Sequence, residues 1–188
     1  VLGLILAGIM VGSLVSSGTS LIKLVADPND QLPAITYWLM GSLNGTAPKD
    51  VFFALLPMAV GVVGLWLLRW RINLLTLGDE EARTMGVNVK GLRGAVIVCA
   101  TLITAASVSA SGMIGWVGLV IPHLGRKLVG DNYQRLMPTA ILLGAIFLLL
   151  VDDVSRNLLA VEIPIGILTS FLGAPFFLYL ISREGELL

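Results

Sequence analysis

The sequence predicts an all-α fold, a polytopic membrane helix bundle of six transmembrane helices with a short outer interfacial helix and a cytoplasmic coupling helix. Three observations lead there. Of the 188 residues, 56% are hydrophobic and only 13% charged, and the mean hydropathy is +0.93, a composition of integral membrane proteins rather than soluble domains. The apolar residues come in long runs separated by short polar stretches. The largest polar stretch, residues 69–93, carries Arg69, Arg71, Arg83, Lys90 and Arg93, five of the twelve basic residues, and so belongs beside the membrane on the cytoplasmic side. The formal net charge is zero, which argues against nucleic acid as a partner.

The first span covers about residues 1–25. It opens inside an apolar run with no Met and no basic leader, unlike a cleaved signal peptide, and reads as a fragment or a processed piece. Gly8, Gly12 and Ser16 recur at i, i+4 and i+8, a spacing that lets another helix approach closely. Two readings fit that stripe: packing within one subunit, or a subunit interface or pathway wall. Asp27-Pro28-Asn29-Asp30 then breaks the helix. Residues 31–43 are too short to span and carry Tyr37 and Trp38, anchors at headgroup level, so they predict the outer interfacial helix. A turn at 44–50 leads into a second span, about 51–68, in which Pro57 permits a kink.

Residues 69–93 form the coupling loop. Within it Asp79 is expected to cap a short helix, Glu80 and Glu81 sit in the first turn where carboxylates complement the helix dipole, and Gly86 is a natural stop. Leu74, Leu77, Ala82 and Met85 supply apolar contacts while the charges stay wet, which suits a helix seated in a groove of another protein.

A third span follows at about 94–110 and a fourth at about 113–124. The fourth is shorter than the ~20 residues a crossing helix needs, so it must be thin, tilted or partly broken, which Gly115, Gly118 and Pro122 allow. After a basic-flanked loop at 130–135, a fifth span runs over about 136–151, Asp152 to Asn157 form its outer end, and a sixth covers about 163–181. Basic residues test this topology. Arg69, Arg71, Arg83, Lys90, Arg93, Arg126, Lys127, Arg135 and Arg183 fall on the cytoplasmic side, against Lys23, Lys49 and Arg156 outside.

Few residues offer chemistry. Cys99 is the sole cysteine and lies in an apolar run, where a small buried hydrophobe is expected. His123 is the sole histidine and has no carboxylate at ligand spacing in its span, so no metal site is predicted; it is expected to end the fourth helix near the cytoplasmic surface and bond to backbone. Asp152 and Asp153 are adjacent and point different ways, unlike an aspartyl protease dyad. There is no Gly-rich phosphate loop with its Lys and Ser/Thr, so the chain is not expected to be an enzyme. An ion-gradient-driven secondary transporter or channel is the alternative function, but it would want ionisable residues in mid-membrane, and the six spans lack them at their centres.

Four stretches together carry a family resemblance. The run from Gly112 through Trp116 and Pro122 to His123, continuing to Arg126, Gly130 and Asp131, resembles the signature of permease subunits of bacterial ABC importers for iron-siderophores, haem and cobalamin. So do Leu77 to Arg83 with Gly86-Val87, Trp38 to Leu43, and Pro164 to Thr169 with Gly173 to Phe177. They occur in family order over nearly the whole chain. Known members have ten spans, and this chain matches the last six.

The resemblance implies a second permease copy or paralogue, two ATPase subunits that bind and hydrolyse ATP with Mg, and an extracytoplasmic substrate-binding protein, all at a bacterial or archaeal cytoplasmic membrane. No cofactor is expected on this chain itself. Asp79, Glu80, Glu81, Ala82, Arg83 and Gly86 match the family's ATPase-coupling motif, with Glu81 where Ala is usual. Arg156 matches an arginine that, in the cobalamin importer, meets a glutamate of the binding protein; Lys49 is the next docking candidate. Ser155 stands where the family usually has Ala. The implied cargo is cobalamin, haem, a siderophore complex or a metal oxoanion.

Overall fold

The computed structural model describes residues 2–44, 46–159 and 161–185. Val1, Gly45 of the expected turn and the end of the expected cytoplasmic tail from Glu186 lie outside the described residues, as does the Arg183 side chain. The described residues are helical or in turns, in two compact units, residues Val1–Leu39 and Met40–Leu188.

The first unit holds α1 (Leu2–Val25) and α2 (Gln31–Leu39). The break between them is made by Asp27 and Pro28: the Asp27 carboxylate accepts the Asn29 N–H at 2.8 Å and its carbonyl accepts the Leu32 N–H at 2.9 Å. Along α1 the hydroxyls of Ser17, Thr19 and Ser20 donate to carbonyls four residues back, each at 3.0 Å, so these polar groups are satisfied within the helix itself. Tyr37 and Trp38 are exposed on α2, as interfacial anchors require.

The second unit holds α3 (Pro48–Leu74), a 3₁₀ turn (Leu75–Leu77), α4 (Asp79–Thr84), α5 (Val89–Ser111), α6 (Val117–Val129), α7 (Tyr133–Asn157) and α8 (Ile165–Gly185). Four helices, over Ile5–Val25, Pro48–Leu77, Val89–Ser111 and Tyr133–Asn157, are long and apolar enough to cross a membrane. The apolar stretch of α8, Ile165–Tyr179, is shorter, and α6 has only 13 residues.

Several expected boundaries move. The second span does not stop at Leu68, because α3 runs on through Arg69 and Arg71 to Leu74; long basic side chains are good helix formers and reach water from a helix end. The third starts at Val89, where the Asn88 carboxamide caps it by accepting the Gly91 N–H at 3.0 Å. The expected fourth helix does not begin at Met113: residues 112–116 are non-helical, and α6 extends past Leu124 to Val129, with Arg126 and Lys127 in its last turn where cations favour the dipole. α7 runs past Val151 through Asp152 to Asn157, so the expected outer end of the fifth span is itself helical.

Packing in the second unit relies on small residues, as it must where lipid removes the hydrophobic advantage of helix association. α3 lies mainly along α5. A Cβ on Gly61 would come within 2.6 Å of the Ile103 side chain and 2.8 Å of the Cys99 carbonyl, and one on Gly64 within 2.6 Å of the Cys99 sulfur. Cys99 is thus a half-buried packing residue seated over two glycines. α6 packs on α7 and α8 through Val120, Ile121, Leu136, Met137 and Ile165. Phe52, Phe53, Leu56, Leu67, Leu149 and Phe171 face outward and are largely exposed, which suits contact with lipid or further helices.

Candidate coupling and docking sites

The antiparallel run of helices in the second unit creates two polar ends. At one, the Asn73 carboxamide near the close of α3 accepts the Tyr133 N–H at 3.0 Å, which ties α3 to the start of α7 beside α4. At the other, the Ser42 N–H donates to the Ser111 carbonyl at 2.9 Å, which joins the segment before α3 to the end of α5.

At the first end α4 is a short helix of six residues. Gly78, at φ +119°, is its N-cap; that conformation is open to glycine, so the chain reverses there and Asp79 becomes the first helical residue rather than the cap. Freed from capping, the Asp79 carboxylate meets the Arg93 guanidinium on α5 at 2.9 Å. The far side closes as a Schellman motif. Gly86 takes φ +81°, its N–H donates to the Arg83 carbonyl at 2.9 Å, and the Val87 N–H donates to the Ala82 carbonyl at 3.0 Å. Ala82 is fully buried beneath this turn, while Glu80, Glu81 and Arg83 are exposed and make no ion pair among the described residues. Beside it a cleft of about 530 Å³ lies between α3, the 85–88 turn and α5, lined in part by Arg71, Met85 and Asn88. Sequence reasoning missed Asn73, Asn88 and the Asp79–Arg93 pair. Asn88 was readable, being an Asn directly before an apolar helical run; the Asn73–Tyr133 bond joins residues too far apart to leave a signal.

At the second end Arg156 lies in the last turn of α7, not in a free turn, because a cation there complements the dipole and its Nε donates to Asp152 Oδ2 one turn back at 2.9 Å. Glu162 and Asp153 are also close enough to act on its charge. Asp152 Oδ1 is buried with no hydrogen-bond partner among the described residues. Ser155 is fully buried, and its hydroxyl donates to the Ile163 carbonyl at 2.5 Å, which pins the α7–α8 link to α7. Lys49 is exposed in the first turn of α3 without an ion pair among the described residues, and Asp50 beside it accepts the Ala47 N–H at 3.0 Å.

The remaining candidates are the small-residue stripe of the first unit and His123 and Pro122 of the second. Gly8, Gly12 and Ser16 are exposed along α1, and a Cβ on either glycine would meet nothing within 4 Å. His123 does not end its helix. It sits within α6, its ring edge toward Phe176 at 6.3 Å, and its buried Nε2 has no hydrogen bond among the described residues in place of the expected backbone bond. Pro122 lies inside α6 and does not stop it, since tertiary packing on α7 and α8 holds the helix across it. Among the described residues no group of three His, Cys, Asp or Glu side chains is placed to hold a metal.

Comparison with known proteins gives a consistent result. The FecCD transport family matches residues 1–183. The chain is 44% identical over 183 residues to the "Probable iron chelatin transport system permease protein" of Helicobacter pylori, covering 97% of this chain and 56% of that one. It is 44% identical over 185 residues to the molybdate import system permease protein MolB of Haemophilus influenzae, covering 97% and 55%, and 40% identical over 185 residues to the hemin transport system permease protein HmuU of Yersinia pestis, also covering 97% and 55%. A solved structure described as an inward-facing metal-chelate type ABC transporter superposes with a TM-score of 0.92 at 44% identity, over 97% of this chain and 59% of that one. The chain thus spans about half the length of the curated relatives it matches.

Proposed function

This chain belongs to the FecCD transport family, and from that premise we propose that it is the membrane-spanning part of a permease subunit in an ATP-driven importer of an iron-siderophore, haem, cobalamin or a related metal chelate. The observation that carries the reading is α4: a short, stopped helix with its apolar residue buried and its four charged residues exposed, placed between two helices that are each long enough to cross a bilayer. Such a device transmits force. A partner that closes around α4 would pull on α3 through the 3₁₀ turn and on α5 through Arg93, and packed helices respond by switching between discrete arrangements.

In this reading the partner at α4 is an ATPase subunit, which performs the hydrolysis with its own ATP and Mg, and Asp79, Glu80, Glu81, Ala82, Arg83 and Gly86 form the coupling surface. Residues 69–93 lie in the cytoplasm of a bacterial or archaeal cell, and the opposite end, with Arg156 and Lys49, faces an extracytoplasmic binding protein. Six crossings follow from taking α8 as one and α6 with residues 112–116 as another. Gly8, Gly12 and Ser16 on α1 face a second permease copy or paralogue, where their open flank has room for a close helix contact. The ionisable residues of the long helices sit near their ends, which suits an externally powered pump better than an ion-coupled carrier.

The test is ATP-driven uptake by the full transporter in proteoliposomes with Glu80→Ala and Glu81→Ala combined. Both side chains are exposed, so insertion and folding should be unchanged while uptake and cargo-stimulated ATP hydrolysis are lost together. Normal uptake in that variant would remove α4 as the coupling element.

A further inference from the structure

The carboxylate of Glu162 has no part in the coupling or docking surfaces, yet both of its oxygens accept hydrogen bonds at the end opposite α4. It lies in the link between α7 and α8, half-buried, and its two oxygens are divided between two donors from the segment before α3. Oε1 accepts the Ser42 hydroxyl at 2.7 Å, and Oε2 accepts the Asn44 carboxamide. The Ser42 oxygen in turn accepts the Asn44 N–H at 2.9 Å, so the hydroxyl gives its proton to Glu162 and its lone pair to Asn44. Residues 118 and 120 apart in sequence thereby close one ring of hydrogen bonds.

Beneath this ring the backbones come into direct contact at two glycines. Gly41 has φ +76°, and a Cβ there would come within 2.5 Å of the Met113 carbonyl; a Cβ on Gly166 would collide with the Met40 carbonyl and lie 2.9 Å from that of Met113. Segments 40–44, 111–113 and 162–166 therefore meet backbone to backbone at Gly41 and Gly166, with the Ile114 side chain alongside Gly41 and Ile165 fully buried next to Gly166. Among the described residues, the side-chain bonds that hold the 40–44 segment to the α7–α8 link are those of Glu162, and they are charge-assisted, strong while water is excluded and replaceable by water once it enters.

The placement matters for transport. Segment 40–47 is where the chain passes from α2 into α3, and residues 158–164 carry it from α7 into α8. A permease must make and break contacts at both ends in each cycle. We propose that Glu162, with Ser42 and Asn44, is a releasable latch that closes the end opposite α4 and must open for cargo to enter, so that Glu162 is a positioning residue of the transport cycle. This rests on the importer reading above.

The experiment uses the full-length permease assembled with its ATPase and binding protein in proteoliposomes. Cys99→Ala, with any cysteine elsewhere in the full-length permease also replaced, clears the background, and Ser42→Cys with Glu162→Cys is bridged by a short bis-methanethiosulfonate. Bridging should abolish ATP-driven uptake relative to the same protein before bridging, reduction with dithiothreitol should restore it, and binding-protein association should be unchanged. Uptake that continues at the unbridged rate overturns the latch. Glu162→Ala and Glu162→Gln keep the test decisive if the double-cysteine protein fails to assemble. The ATP hydrolysed per cargo should rise several-fold in Glu162→Ala and less in Glu162→Gln, which retains one acceptor oxygen, and an unchanged ratio in both overturns the latch. Wild-type transporter that shows no ATP-driven uptake overturns the importer reading instead, and the latch with it.

Discussion

The two polar ends of the second unit are built by opposite means. The α4 end is local: every bond that shapes the helix joins residues within five positions, from Ala82 back to Gly78 and from Val87 back to Ala82, with Asp79–Arg93 as a tether fourteen residues long. The Glu162 end is global. Its segments come from three places in the chain and are held by a carboxylate, a serine and an asparagine over a seam of glycines. A local device can move as a body with its charges free to meet a partner. A global one can come apart when water replaces its charge-assisted bonds. Under the proposed function, the first end serves as a lever and the second as a gate.

The comparison is broken most completely at the lever. Proline at position 86 cannot take φ +81°, and it removes the N–H that bonds the Arg83 carbonyl. Gly86→Pro should abolish ATP-driven uptake by the full transporter while membrane insertion, read by protease accessibility, stays normal. Gly86→Ala retains the N–H and costs only the left-handed conformation, ~1–2 kcal/mol, so it should transport at a reduced rate. Equal uptake by wild type and Gly86→Pro would show that α4 need not be a stopped helix.

The contrast between local and global also decides what could be read from the sequence. α4 was legible because glycines, acids and bases stood in order along one stretch, and the rule that fails there, Asp79 as cap, fails because Gly78 could take a conformation that no capping residue requires. The long helices were legible from apolar length, and their ends were misplaced by up to six residues where Arg69 to Leu74 and Asp152 to Asn157 stayed helical. Gly115, Gly118 and Pro122 allowed a partly broken fourth span, but the sequence did not place the non-helical stretch at 112–116, nor show that Trp116 takes φ +67° with its ring beside Gly173 and Phe177. Ser42, Asn44 and Glu162 are unremarkable polar residues in sequence, and only the fold makes them neighbours. Whether α4 meets an ATPase and Arg156 a binding protein depends on partners, which neither periodicity nor packing encodes.

At the gate, the seam should fail by overpacking. Gly166→Val forces a branched side chain against the Met40 and Met113 carbonyls, which are backbone and cannot swing away. A loss of roughly 1–3 kcal/mol or more is expected, read as a lower melting temperature in detergent, whereas Gly130→Ala, with no atom within 4 Å, should cost only its positive-φ strain. Similar shifts for the two would mean that the seam is looser than its glycines imply.

A smaller effect is expected at Arg156, because its guanidinium is already engaged by Asp152 and lies at a wet rim. Arg156→Glu places a fourth carboxylate beside Asp152, Asp153 and Glu162, so binding-protein association should slow several-fold and lose part of its salt dependence, with Lys49→Glu adding to the loss. An on-rate and salt slope unchanged by both reversals would confine these residues to anchoring the helix ends.

The smallest effect belongs to the tether of the lever. Asp79 and Arg93 are each nearly half exposed, and pairs of that kind are worth less than ~1 kcal/mol because water screens them and two long side chains lose freedom. Asp79→Asn or Arg93→Gln should therefore leave the melting temperature within a few degrees of wild type. Exchange of the charges, Asp79→Arg with Arg93→Asp, rebuilds the attraction but sets a cation at the N-terminus of α4, where the dipole disfavours it, so the exchanged protein should fall slightly below wild type and above Asp79→Arg alone. The informative reading is uptake rather than stability. If α4 drives α5 through this pair, each single variant lowers uptake more than it lowers the melting temperature and the exchange restores part of it; if the 3₁₀ turn and α3 carry the motion, uptake follows stability and the pair is a brace.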